Sequence, residues 1–141
     1  MTSTNVSAKL SAIKFRWSNN ELIISYIDNN GLNKTINIAD HLELTDIINS
    51  TVISTMEDMR IACAYAIVLA AKELNPFDEK YYSKLLKISL NIKTSNKHIL
   101  SSTVRRMLSA GDDANGPVNG TDRIVQSMIL EANRIHNEKF I

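Results

Sequence analysis

Ile61-Ala62-Cys63-Ala64-Tyr65-Ala66-Ile67-Val68-Leu69-Ala70-Ala71 carries no charge and is apolar on every side of a helical projection. A helix lying on a protein surface keeps a polar stripe for water, so one that is apolar all round belongs in the middle of the molecule. Ser54 or Thr55 can cap its start, and Glu57 and Asp58 in the first turn suit the positive end of the helix dipole. The helix runs to about Leu74 and stops at Asn75-Pro76, because the residue before proline avoids the helical region. Its alanines allow neighbours to approach closely. Eleven uncharged residues fall short of the roughly 20 that span a bilayer, so the cover must come from the rest of the chain.

Upstream, the pattern changes to period two. Residues 12–17 alternate Ile13, Phe15 and Trp17 with Lys14 and Arg16, and Ser18-Asn19-Asn20 breaks the run. Residues 21–27 are rich in β-branched and aromatic side chains. Asp28-Asn29-Asn30-Gly31 predicts a tight hairpin, since Asn-Gly accepts positive φ angles. Residues 32–38 form a third strand, with Leu32, Lys34, Ile36 and Ile38 on one face. The expected unit is a three-stranded antiparallel meander over 12–38 that needs a helical cover on one face.

From Asp40 the period is helical. Asp40 can cap a short helix to about Asn49. Beyond the central helix, Glu79 to about Ile92 reads as a helix with apolar Tyr81, Tyr82, Leu85, Leu86, Ile88 and Leu90. Residues 93–96 read as a turn. Another helix runs to Ala110, with Ile99, Leu100, Val104, Met107 and Leu108 facing in, and Gly111 reads as its stop. Residues 111–120 read as a flexible loop. Thr121 caps a last helix striped with Ile124, Val125, Met128, Ile129, Ala132 and Ile135. The predicted class is therefore α+β: a β-meander over 12–38, then a bundle of about five helices over 40–138, within a single domain, 1–141.

Composition agrees with a globular domain. The chain has 141 residues, 44% hydrophobic and 22% charged, enough for a sizeable core. Cys63 is the only cysteine, which leaves no disulfide and no zinc site and, inside an apolar run, reads as a small hydrophobe. No basic segment followed by an apolar one opens the chain, so an intracellular, cytoplasmic location is expected, with no membrane partner.

The net charge of +1 conceals a segregation. Residues 40–79 hold eight acidic and two basic groups, whereas residues 80–111 hold seven basic groups and no acid. The basic set is Lys80, Lys84, Lys87, Lys93, Lys97, Arg105 and Arg106. Ser95, Asn96, Ser101, Ser102 and Thr103 lie among them. Lysine and arginine neutralise phosphates, and short polar side chains donate hydrogen bonds to them. At i, i+4 and i+7, Lys80, Lys84 and Lys87 share one helix face. Residues 101–108 have the composition of a recognition helix, although the preceding half fits that motif poorly, with no glycine in the turn. Lys14 and Arg16 could extend the basic surface, and Phe15 or Trp17 could stack on bases if exposed.

Other chemistries fail on spacing. From Asp113, the sixth and twelfth positions of an EF-hand loop would be Val118 and Ile124 rather than Gly and Glu. Gly120 is followed by Thr121-Asp122, not by the Lys of a phosphate-binding loop. His41, His98 and His136 are scattered. No catalytic residue, cofactor or metal is expected. The sequence therefore predicts a non-catalytic nucleic-acid-binding accessory protein, a subunit of a nucleoprotein assembly that grips the phosphate backbone of DNA or RNA through a basic helical strip. The alternative is a protein–protein adaptor, inhibitor or assembly subunit, in which the strip meets an acidic protein surface, on a partner or on a second copy of the chain.

Overall fold

The computed structural model describes residues 11–18, 21–28, 30–49, 53, 55–75, 78–92, 97–113 and 120–138. Three strands come first: β1 (Ser11–Ser18), β2 (Glu21–Ile27) and β3 (Asn33–Ile38). They form one antiparallel sheet in the order β1-β2-β3. Among the described residues five helices follow: α1 (His41–Asn49), α2 (Met56–Glu73), α3 (Tyr81–Ile92), α4 (Lys97–Asp113) and α5 (Gly120–Glu138). The α+β class is as expected.

Alternation places the sheet's apolar side chains in rows across the strands. Phe15 pairs with Ile24 and Ile24 with Ile36; Trp17 pairs with Leu22 and Leu22 with Ile38. Phe15, Leu22, Ile24 and Ile38 are buried, and Lys14 and Arg16 stand exposed between them in sequence. The β2–β3 turn is longer than a two-residue hairpin, because the last strand pair is Ile27 with Asn33. Asp28 organises it: its N–H donates to the Leu32 carbonyl at 2.9 Å, and its Oδ1 accepts from the N–H groups of Asn30 and Leu32, both at 2.9 Å. Gly31 supplies the positive φ, at +80°, that the return requires.

Helix α2 is the axis of the molecule. Thr55 caps it by accepting from the Asp58 N–H at 3.2 Å. No residue from Ile61 to Ala71 is more than 1% exposed. Helices α1, α3, α4 and α5 all pack on it. Three polar ties fix their positions. The His41 N–H and Nδ1 each lie 2.7 Å from a different oxygen of Glu73, which clips the start of α1 to the end of α2. The Tyr81 hydroxyl donates to the Ala71 carbonyl at 2.7 Å, which anchors the start of α3. The Tyr65 hydroxyl donates to Asn133 Oδ1 at 2.8 Å, which joins α2 to α5. Tyr65 also receives the sheet: the Trp17 ring stacks on it at 5.9 Å and 6°, and burial pushes its phenol up to about 12. Asp40 caps α1 as expected, accepting from the Glu43 N–H at 2.9 Å.

Gly111 departs from its predicted role. It does not end α4, which continues to Asp113. A Cβ at Gly111 would sit 2.5 Å from Met128 Cε and 3.2 Å from Ile124 Cγ2. The missing side chain therefore lets α4 and α5 close together, and the Tyr82 hydroxyl reaches the Gly111 carbonyl at 2.9 Å. Of the predicted loop, residues 111–113 and Gly120 are helical, and 114–119 lie outside the described residues.

Ionic contacts also join α4 to α5. Arg106 donates from Nε to Glu131 and through its terminal nitrogens to Glu138, one of these at 3.0 Å. Arg134 takes the second oxygen of Glu131 at 2.7 Å. Burial pushes the Glu131 carboxyl up, but its hydrogen bonds from Arg106 and Arg134 more than offset this and hold it below the usual range. The Arg106 hydrogen bond holds Glu138 low as well.

Two predictions follow from this packing. Ala66→Leu, which adds volume where α2 is enclosed, should destabilise by about 1–3 kcal/mol in urea unfolding. Leu42→Ser, at a position 64% exposed, should stay within about 0.5 kcal/mol, and equal effects at the two sites would contradict the placement of α2. Because the folded-state values of Glu131 and Glu138 are depressed, their contribution is present above about pH 4.3, the ordinary glutamate value, and is lost as pH falls through the folded values. Arg106→Gln should therefore cost about 1 kcal/mol at neutral pH, and its deficit against the parent should shrink below about pH 4. Parallel acid-unfolding curves would refute the ionic tie.

Candidate binding surface

Among the described residues, two of the basic side chains between Lys80 and Gly111 are engaged by carboxylates. Asp78, two residues before the stretch begins, reaches into it. It pairs with the Lys84 ammonium and accepts from the Lys80 N–H at 2.8 Å, and the Lys84 hydrogen bond holds its carboxyl below the usual range. Arg106 is held by Glu131 and Glu138. Thr103 is 4% exposed and belongs to the core side of α4. Ser102 and Lys87 are exposed, and Ser101 is half-buried. Lys93, Ser95 and Asn96 lie outside the described residues, and of Lys97 only its place at the start of α4 is described.

Lys14 and Arg16 are exposed on β1, while Ile13 and Phe15, which alternate with them, are buried in the core. Neither aromatic is set up to stack on bases. Phe15 is 6% exposed, and Trp17 lies between the Tyr65 ring and the Lys72 ammonium, whose Nζ is 5.3 Å from the indole centroid.

Of the residues that could act as nucleophile or base, Cys63, His41 and His136 have structural surroundings; the His98 side chain lies outside the described residues. Cys63 is fully buried, and burial pushes its thiol up to about 12, far from a reactive thiolate. His41 is clipped to Glu73. His136 lies edge-on to both Phe15 and Tyr65, at 6.1 and 6.0 Å, with its Nδ1 3.3 Å from the Tyr65 hydroxyl. Among the described residues no group of three His, Cys, Asp or Glu side chains could hold a metal ion, and no helix is long and apolar enough to cross a membrane.

The surface feature that the fold does create is an apolar groove of about 420 Å³ between α3 and α4. The two helices lean on α2 more than on each other, so their outer edges stay apart. Leu86 and Leu90 form one wall, and Val104 and Leu108 the other. Leu86 is 45% exposed and Leu90 43% exposed. Arg105 lines the α4 wall near its outer edge, next to Ser109. Unlike Arg106, it makes no ion pair among the described residues, although it also lines a second depression with Arg106, Ser109 and Glu131. Sequence reading placed Leu86 and Leu90 among the apolar positions of a bundle helix and did not mark them as a surface. The signal was available: on α3 the buried set is Tyr81, Leu85, Ser89 and Ile92, and Tyr82, Leu86 and Leu90 are a second stripe beyond what the core takes.

No known protein family matches the chain, and no curated protein matches it. Solved structures do. The translation initiation factor eIF-2B, subunit delta, from A. fulgidus superposes with a TM-score of 0.73 at 22% identity, over 91% of this chain and 37% of that one. The 5-methylthioribose 1-phosphate isomerase from Pyrococcus horikoshii OT3 also superposes with a TM-score of 0.73, at 15% identity, over 95% of this chain and 38% of that one. At these identities the likeness is one of fold, and the chain spans less than two-fifths of either structure. It corrects the functional expectation: the fold is shared with an initiation-factor subunit and an isomerase and does not point to a nucleic-acid-binding accessory protein, and two cations on which that expectation stood, Lys84 and Arg106, are paired with Asp78, Glu131 and Glu138.

Proposed function

We propose that this chain is a non-catalytic protein-association module, a single domain that works by packing further polypeptide against the outer faces of α3 and α4. The observation that carries the reading is the exposed pair Leu86 and Leu90 facing Val104 and Leu108 across an open groove. Apolar side chains at i and i+4 on a surface helix, opposite a second apolar wall, match the geometry by which grooves accept an amphipathic helix. A contiguous exposed apolar patch marks an interaction site more often than a scatter of single leucines does.

The fold likeness supports the same reading. In both similar structures the matching region is less than two-fifths of a longer chain, so this fold occurs elsewhere in company with additional polypeptide. One of the two is named as a subunit of a multi-subunit factor. Fold alone does not carry an activity across, and Cys63, His41 and His136 are each engaged in internal contacts.

A photo-crosslinking amino acid installed at Leu90, in the cells that make this chain, should yield a discrete adduct of higher mass. The same probe at Leu42, exposed on α1, should not. Adding Leu86→Asp should suppress the Leu90 adduct while the far-ultraviolet circular dichroism is unchanged. Identical labelling at Leu90 and Leu42, or none at Leu90, would overturn the proposal.

A further inference from the structure

We infer that the occupant of the α3–α4 groove is an amphipathic helix whose apolar ridge is flanked by carboxylates; this rests on the association reading above and narrows its partner. The groove has an apolar floor and one basic side chain in its lining. Arg105 is exposed on the α4 wall beside Ser109, and it has no ion partner among the described residues. The other cations nearby are differently placed: Lys84 is held by Asp78, and Arg106 is turned toward α5. Arg105 therefore puts an unpaired positive charge beside the apolar surface.

Charge then selects among occupants. A second copy meeting this one groove to groove would bring the Arg105 of each copy toward that of the other, and like charges across an interface oppose association. A flat lipid surface does not fill a concave channel between two helices, whereas one helical ridge does. A helix with leucines at i, i+4 and i+7 presents such a ridge, and glutamates beside the ridge fall next to the groove edges. An arginine can grip a carboxylate through two parallel N–H donors, which sets orientation as well as strength.

The test uses two labelled synthetic helices of about 18 residues, long enough for five turns. They share the leucine ridge and differ only in carrying glutamate or lysine at the flanking positions. Fluorescence anisotropy with the full chain at physiological salt should show the acidic peptide binding about tenfold more tightly than the basic one. Arg105→Glu should abolish or invert that preference without loss of fold, because Arg105 makes no ion pair among the described residues. Leu90→Asp should abolish binding of both peptides.

Each contrary result is informative. Equal binding of the two peptides, both lost in Leu90→Asp, overturns the acidic partner and leaves the groove as a docking surface. No binding of either peptide, together with an unchanged Leu90 crosslink after Leu86→Asp, overturns the association reading itself. Self-association in sedimentation that Leu90→Asp removes would make the occupant a second copy and overturn the inference.

Discussion

A helix with no polar face has to be enclosed, and that constraint organises this molecule. Removing water from a leucine- or isoleucine-sized side chain stabilises by about 1.5–3 kcal/mol, so leaving any flank of α2 wet would forfeit a large part of the folding free energy. Four helices and the sheet's aromatic row meet on it. The alanines at 62, 64, 66, 70 and 71 keep the axis narrow enough for the neighbours to crowd in. Gly111 applies the same device one layer out, letting α4 and α5 close on each other. Because hydrophobic contact has little directionality, hydrogen bonds fix the arrangement: Tyr65 to Asn133, Tyr81 to Ala71, and His41 to Glu73 each join α2 to a different helix.

That enclosure also rearranges the charges. In sequence, the acids of residues 40–79 and the bases of 80–111 form separate blocks. In space, α5 lies alongside α4 and brings Glu131 and Glu138 to Arg106, and the turn before α3 brings Asp78 back over Lys84. Interleaving opposite charges lowers the self-repulsion that a block of like charges would create. Among the described residues Lys87 and Arg105 stay exposed on these helices without an ion pair.

The parts of the fold that were legible in the sequence are those governed by near neighbours. The period-two rows of β1, the caps at Asp40 and Thr55 and the burial of residues 61–71 each depend on a pattern within one element, and all appear where the residues predict them. The misreadings depend on pairs far apart in the chain. Arg106 and Glu131 are 25 residues apart, and Tyr82 and Gly111 are 29 apart. A glycine after a run of helix formers has the same local appearance whether it stops the helix or admits a neighbour, so only Met128 and Ile124 decide between them. The turn at Asp28 shows a milder form of the problem: Asn30-Gly31 announces a hairpin, but the carboxylate two residues earlier sets its length.

The same reasoning explains why fold likeness survives at 15–22% identity. An enclosed axis demands small and apolar residues at many positions but seldom one particular residue, so sequences can drift widely while the arrangement of helices persists. The surface is under no such demand. Leu86 and Leu90 contribute little to enclosing α2, because Leu85, Ser89 and Ile92 already occupy the inward face of α3. Two leucines kept more than 40% in water gain little from folding, and in an isolated domain polar residues would serve those positions equally well. On the association reading, their presence opposite Val104 and Leu108 answers to a partner packed on that surface after folding rather than to the folding of this chain.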